Sequence, residues 1–159
     1  MAGEKQAYDA VIDSPIGRLA LRLQHGALAA IDFVSARQPL HAARSPEARA
    51  VCRALKRFWR DPHASWRLPL GLSGTAFQQR VWRALMRIPA GEVRSYGALA
   101  RQLRTSARAV GGACRANPVP IVVPCHRVVA HSGLGGFMGA TRGRTLDIKS
   151  WLLDHERAR

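Results

Sequence analysis

The sequence predicts an α/β (α+β) chain in two parts: a small antiparallel sheet with one helix over residues 1–70, then a mostly helical unit over 71–159. Three observations carry this. Short apolar runs broken by turn residues fill the first third, apolar residues recur at helical spacing through most of the rest, and a stretch bearing Pro62, Pro69 and Gly71 separates them as a linker over 61–74.

In YDAVIDSPIGRLALRLQHGALAAIDFV, turn signals at Ser14-Pro15-Ile16-Gly17 and His25-Gly26 cut the run into three strands of an antiparallel meander. After a polar stretch (35–46), PEARAVCRALKRFWRDP places Ala48, Val51, Cys52, Leu55 and Trp59 on one helical face. Cys52 on that face reads as an inert core thiol.

The second half opens with SGTAFQQRVWRALMRIP, where Phe77, Val81, Leu85 and Ile88 form the stripe, Thr75 caps the start and Pro89 ends it. Two short helical patterns follow, SYGALARQLR and TSARAVGGACRAN, separated by a tight turn near Thr105; this is the outline of a helix-turn-helix. Its second helix carries Arg108 and Arg115 seven residues apart, with Val110 and Cys114 on another face. The small residues Ala107, Gly111 and Gly112 beside Arg108 would let this helix approach a nucleic-acid backbone, although glycines that merely weaken a solvated helix give the same pattern. NPVPIVVPCHRVVA threads prolines through β-branched residues and predicts a rigid, extended segment. A Gly-rich loop, HSGLGGFMGATRG, leads to RTLDIKSWLLDHE, an amphipathic helix bearing Ile148, Leu152 and Glu156.

Charge narrows the partner. Lys and Arg number 25 against 10 Asp and Glu, a formal net charge of +15, which calls for a polyanion. Lys5, Lys56 and Lys149 are the only lysines, so arginine supplies the charge in the form suited to bidentate phosphate contacts; GC-rich coding bias explains that preference equally well, but not the sign. No apolar run approaches the roughly 20 residues of a membrane span, and MAGEKQAYDA lacks the apolar core of a signal peptide, so a cytoplasmic protein without a membrane partner is expected. Cys52, Cys114 and Cys125 are odd in number and lack CxxC spacing, which speaks against a disulfide scaffold and a zinc site. Neither metal nor cofactor is expected.

Cys125 followed directly by His126 in a Pro-stiffened apolar segment is an unusual setting for a structural thiol. On a strand the two would point to opposite faces, so they act together only if the backbone turns, which Pro124 allows.

PVPIVVPCHRVV resembles the signature of the O6-alkylguanine-DNA alkyltransferases (methylated-DNA–protein-cysteine methyltransferases), a Pro-Cys-His-Arg segment in apolar flanks. FQQRVWRALMRIPAGEVRSYGALA, ARAVGGACRANPVP and IKSWLLDHE resemble further blocks of that family in the same order, covering residues 75 to 156. The N-terminal third resembles the family's ribonuclease-H-like domain by pattern, and the C-terminal part its winged helix-turn-helix DNA-binding unit.

The resemblance implies DNA repair by direct reversal: an irreversible, single-turnover transfer of an alkyl group from O6-alkylguanine, with O4-alkylthymine as a second lesion, in double-stranded DNA to Cys125. It implies His126 as the base acting through a water, Glu156 as the carboxylate orienting that imidazole, and Lys149 as a charge favouring the thiolate. Asn117 is implied as the tie of the turn before the cysteine, and Tyr96 as a hydrogen-bond donor to the flipped base, where an aromatic capping a core is the alternative. Arg108 is implied as the residue filling the vacated base stack, Arg115 and Ser95 as phosphate contacts, and the carbonyls of Cys125 and Val128 as acceptors from the guanine amine. Minor-groove binding, largely independent of sequence, by a monomer is implied too.

The loop after the cysteine departs from the family pattern: LGGFMGA is a residue shorter, with Phe137 or Met138 where many members carry a tyrosine, and Gly139 beside them. That leaves open the pocket wall over Leu134–Ala140 and the tolerance for larger alkyl groups. No counterpart of the zinc ligands of some members is present. The alternatives are a non-catalytic, lesion-binding relative, in which another residue replaces the cysteine, and a Cys-His-Glu hydrolase, to which +15 and a helix-turn-helix are ill suited.

Overall fold

The computed structural model describes residues 7–139 and 143–158. The stretch 1–6, on which much of the leader reading rests, lies outside the described residues, as do 140–142 of the Gly-rich loop and Arg159.

Strands β1 (Ala10–Ile12), β2 (Arg18–Gln24) and β3 (Ala27–Val34) form an antiparallel sheet in chain order, as the turn signals predict. The β2–β3 turn uses His25 at φ 51° and Gly26 at φ 77°. Two successive left-handed residues give the hairpin turn whose twist matches that of the strands. Helix α1 (Pro46–Arg60) starts at Ser45, whose hydroxyl accepts from Ala48 N. Its buried face is Ala48, Val51, Ala54, Leu55 and Phe58, so the apolar stripe is rotated from the expected one and Cys52 is only half-buried. The segment 61–74 is less of a free linker than expected. Leu28 N donates to Pro69 O and Gly71 N to Leu28 O, both at 2.9 Å, so it runs alongside β3.

Helix α2 (Ala76–Met86) begins in a reciprocal capping box between Thr75 and Gln78. Strand β4 (Arg94–Ser95) leads into α3 (Tyr96–Leu103), and α4 (Ala107–Arg115) follows a turn made by Arg104 at φ 56° and capped by Ser106. These form the expected helix-turn-helix. Trp82 of α2, 1% exposed, donates its indole N–H to Ala113 O at 2.9 Å and fixes α4 from behind.

The extended segment expected after Asn117 is instead a compact turn. Prolines 118, 120 and 124 remove backbone donors, and Asn117 compensates: its amide donates to Val123 O at 2.8 Å and accepts from Val119 N at 2.9 Å. Val123 N closes on Val119 O at 3.0 Å, and Ile121 is forced to φ 77°. The chain then makes one 3-10 turn, Cys125–Arg127, and a short strand β5 (Val128–Val129) parallel to β4. Helix α5 (Arg144–Arg157) packs on that turn and closes the fold. Ile31 N donates to Pro118 O at 2.9 Å, and one apolar core runs from the sheet through Leu55, Leu85 and Val123 to Leu152.

Candidate active site

The 3-10 turn sets the chemistry, because it does what a strand would not: it brings Cys125, His126 and Arg127 into one buried loop between Pro124 and β5. Cys125 is 3% exposed and His126 is sealed. His126 Nε2 lies 2.9 Å from Glu156 Oε2 on α5. Facing a carboxylate, Nε2 carries the proton, which leaves Nδ1 as a bare acceptor. That Nδ1 is buried and has no partner among the described residues. Burial lowers the pKa of the imidazole below its ordinary 6.5 against the opposing pull of Glu156, so the ring is neutral and able to take a proton.

Sequence reasoning assigned no role to Arg127. Its guanidinium donates to both oxygens of Glu156, at 2.6 Å through Nη2 and 3.0 Å through Nε, and to Ile88 O through Nη1. An arginine flanked by apolar residues in HRVV was itself a signal that a buried acid must meet it. Burial works to raise the Glu156 pKa, but hydrogen bonds from His126 and Arg127 outweigh it and hold the carboxyl at about 2. The carboxylate is thus permanently charged, paired by Arg127 and free to steady charge on His126.

Burial pushes the Cys125 thiol up to about 11, although an Asn117 hydrogen bond and the Lys149 ammonium favour its thiolate. Lys149, buried under the loop, donates to Val128 O at 2.6 Å and Gly136 O at 2.8 Å, and burial lowers its pKa to about 8. One lone pair of the Val128 carbonyl, expected to face a ligand amine, is therefore already engaged by Lys149. His155, which neighbours Glu156, bonds to Phe58 O instead and stacks on Trp151, away from the thiol.

Cys125 opens into a cavity of about 360 Å³. Tyr96 and Phe137 stand on its walls, with Met138 and Gly139 continuing the loop side; Phe137 also packs edge-on against Phe33 of β3 at 6.1 Å. Tyr96 OH donates to Gly136 O at 3.4 Å, and burial raises its pKa to about 12. The opposite side is α4: Arg108, Gly111, Gly112 and Arg115 at the mouth, and Cys114 deeper. A side chain at either glycine would meet open space, whereas one at Gly139, at φ 84°, would strike Arg115 Nε at 2.9 Å. The structure thus brings together the sequence-selected Cys125, Tyr96, Arg108, Arg115, Gly111, Gly112, Phe137, Met138 and Gly139, and sets His126, Glu156, Asn117 and Val128 behind them. Ala107 lies exposed outside the cavity, and Ser95 caps α3 by accepting from Ala98 N at 3.0 Å. Helical spacing puts Cys114 with Val110 on a face apart from Arg108 and Arg115, yet the cavity reaches Cys114 as well, a wall residue that the sequence does not single out.

The arrangement suits a nucleophilic sulfur with a neutral base behind it and a cavity sized for a flat heterocycle, reached past exposed arginines. No group of three metal-binding side chains occurs among the described residues.

Residues 76–158 match the model of a family described as 6-O-methylguanine DNA methyltransferase, DNA binding domain. The chain is 41% identical over 143 residues to the methylated-DNA–protein-cysteine methyltransferase of Mycobacterium leprae, covering 85% of this chain and 87% of that one. It is 35% identical over 161 residues to the constitutive enzyme of that name from Bacillus subtilis, covering 94% and 95%. Among solved structures, Mycobacterium tuberculosis OGT in complex with DNA superposes with a TM-score of 0.76 at 37% identity, covering 92% of this chain and 91% of that one.

Proposed function

The chain belongs to the O6-methylguanine DNA methyltransferase family, and on that premise we propose that Cys125 is the atom-accepting end of its DNA-repair reaction. The protein is a DNA-binding methylated-DNA–protein-cysteine methyltransferase that repairs DNA by moving an alkyl group onto its own cysteine. The observation that supports Cys125 in that role is its position at the base of the cavity, directly before an imidazole whose outward nitrogen is an unpaired acceptor.

In the proposed mechanism α4 lies on the minor groove, with Arg115 and Ser95 on phosphates, while Ala107, Gly111 and Gly112 permit the close approach. Arg108 enters the stack as the damaged guanine swings into the cavity, because duplex DNA hides the target atom. His126 Nδ1 draws the thiol proton through a bridging water, and the imidazolium formed is steadied by Glu156, itself held by Arg127. Cys125 Sγ attacks the alkyl carbon in line, the carbon–oxygen bond breaks toward guanine, and the Tyr96 hydroxyl donates to the departing base. Carbonyl oxygens of Cys125 and Val128 accept from its exocyclic amine. Asn117 keeps the turn and Lys149 offsets the sulfur's negative charge. A thioether sulfur is a poor leaving group, so each chain acts once. O4-alkylthymine, whose alkyl group hangs on the same kind of exocyclic oxygen, belongs to the same proposal as a second lesion.

No helix among the described residues is long and apolar enough to cross a membrane. The reduced thiol this chemistry needs suits a cytoplasmic monomer, with the sheet unit over 1–70 bracing the working unit over 71–159. Incubation with excess O6-methylguanine DNA is expected to add one methyl group per chain, on Cys125, and to stop. Cys125→Ala should bind DNA without transfer; sustained turnover, or methyl found on Cys52 or Cys114, would refute the assignment.

A further inference from the structure

Two thiols, not one, face the same cavity. Cys114 on α4 and Cys125 both line it, and one residue ties down both segments: Asn117 donates its backbone N–H to Cys114 O at 3.2 Å while its side chain clamps the turn leading to Cys125, donating to Val123 O at 2.8 Å. Each sulfur also lies within electrostatic reach of the other and of Lys149. Methyl transfer makes no use of Cys114. We propose that Cys114 is a second reactive sulfur for lesions whose alkyl group carries its own leaving group, and that it closes a two-carbon bridge to Cys125 after repair of an O6-(2-haloethyl)guanine.

This rests on Cys125 being the acceptor. The Cys125 sulfur first displaces guanine and becomes Cys125–S–CH2–CH2–X. That sulfur's lone pair then attacks the distal carbon, halide departs with the bonding pair, and a three-membered cyclic sulfonium forms. The Cys114 sulfur attacks one ring methylene, the electron pair of the ring C–S bond returns to the Cys125 sulfur, and the Cys114 proton passes to water. The product is Cys125–S–CH2–CH2–S–Cys114, with one hydrogen halide released and nothing oxidised or reduced.

Cys114 competes with water and with DNA for the sulfonium. Burial keeps its thiol protonated, with a pKa pushed up to about 12, so its advantage is proximity: a nucleophile held in place can act at an effective concentration of about 10⁵ M or more. The apolar walls, Tyr96 and Phe137, favour sulfur over water. The bridge would also spare the DNA, since a sulfonium left open at the cavity mouth would alkylate the nearest base and join protein to DNA.

The test uses the full chain with duplex DNA carrying O6-(2-chloroethyl)guanine, read by intact mass and tryptic mapping. Cleavage after Arg108, Arg115 and Arg127 puts Cys114 and Cys125 on separate peptides. The bridge predicts those peptides joined, a protein one water lighter than its hydroxyethyl form, and, of three cysteines, only Cys52 open to iodoacetamide after denaturation. Cys114→Ser should instead give hydroxyethyl-Cys125 or a protein–DNA adduct, and the wild-type chain is run in parallel on O6-methylguanine DNA. Hydroxyethyl-Cys125 or a DNA adduct as the sole wild-type product would overturn the bridge and leave the proposed function standing. A Cys125 that takes up no alkyl group from either lesion would overturn both.

Discussion

Nε2 of His126 and Oε2 of Glu156, thirty positions apart in sequence, meet at 2.9 Å with neither side chain reaching solvent. Arg127, the residue after the histidine, holds the same carboxylate at 2.6 Å. Imidazole and guanidinium therefore depend on one acid.

Removing that acid's charge should be costly in two ways. Glu156→Gln leaves the Arg127 guanidinium buried without a counter-charge, and breaking a buried pair from one side costs about 3–5 kcal/mol. Urea unfolding should show a midpoint well below that of the wild type. Transfer to Cys125 in the variant that remains folded should slow by about 100-fold or more, the usual worth of a positioned base. Unchanged stability would mean that the carboxylate bears no net load.

Acid should weaken the fold in two stages. The His126 pKa is lowered in the folded state, so stability begins to fall as pH drops below the ordinary histidine value of 6.5, where the unfolded chain takes up a proton that the folded one refuses. Glu156, held at about 2 against an ordinary 4.5, contributes stability that is complete above 4.5 and lost as pH falls toward 2, roughly 3 kcal/mol in all. Thermal melts from pH 8 to 3 should show both declines, with the first missing in His126→Asn. A melting temperature flat over this range would contradict the assignment.

At neutral pH a thiol near 11 is ionised in roughly one molecule in ten thousand. In the proposed reaction the proton therefore leaves as the alkyl group arrives. In the free protein Cys125 should resist iodoacetamide at pH 7 and react faster with rising pH, while transfer from O6-benzylguanine should already be fast at neutrality. Rapid iodoacetamide labelling of Cys125 at pH 7 would show a preformed thiolate instead.

Arg108 is exposed at the cavity mouth, and the proposed function gives it a part in extrusion rather than in bond breaking. Arg108→Ala should slow repair in duplex DNA at least tenfold more than reaction with free O6-benzylguanine, the gap reflecting unstacking at a few kcal/mol. Equal slowing of both would place Arg108 in the chemistry.

The elements with strong local signals were legible in the sequence. Turn residues located the three strands, Thr75 and Gln78 marked the start of α2, and the spacing around Thr105 gave the helix-turn-helix. What escaped was set by contacts distant in sequence or by side chains substituting for backbone. The stripe on α1 turned toward Phe58 because that ring stacks on Trp66 and meets His155 of α5. Proline content alone suggested an extended 117–124; only the resemblance pointed to Asn117 as the tie of a turn there, and its bonds to Val123 O and Val119 N make that turn compact. Arg127 found its acid 29 residues away, and Cys114 joined the cavity through a helix orientation fixed by Trp82.

Ile121 occupies a backbone region that a β-branched residue avoids, at φ 77° and wholly enclosed; such a posture costs of order 1–3 kcal/mol and survives only where surroundings dictate it. Here the Asn117 clamp and the packed valines do so. Transplanting the tetrad Pro124–Arg127 into a foreign scaffold would carry over its letters and lose its posture, so the smallest portable warhead is the whole arch from Asn117 to Val129 seated on α5.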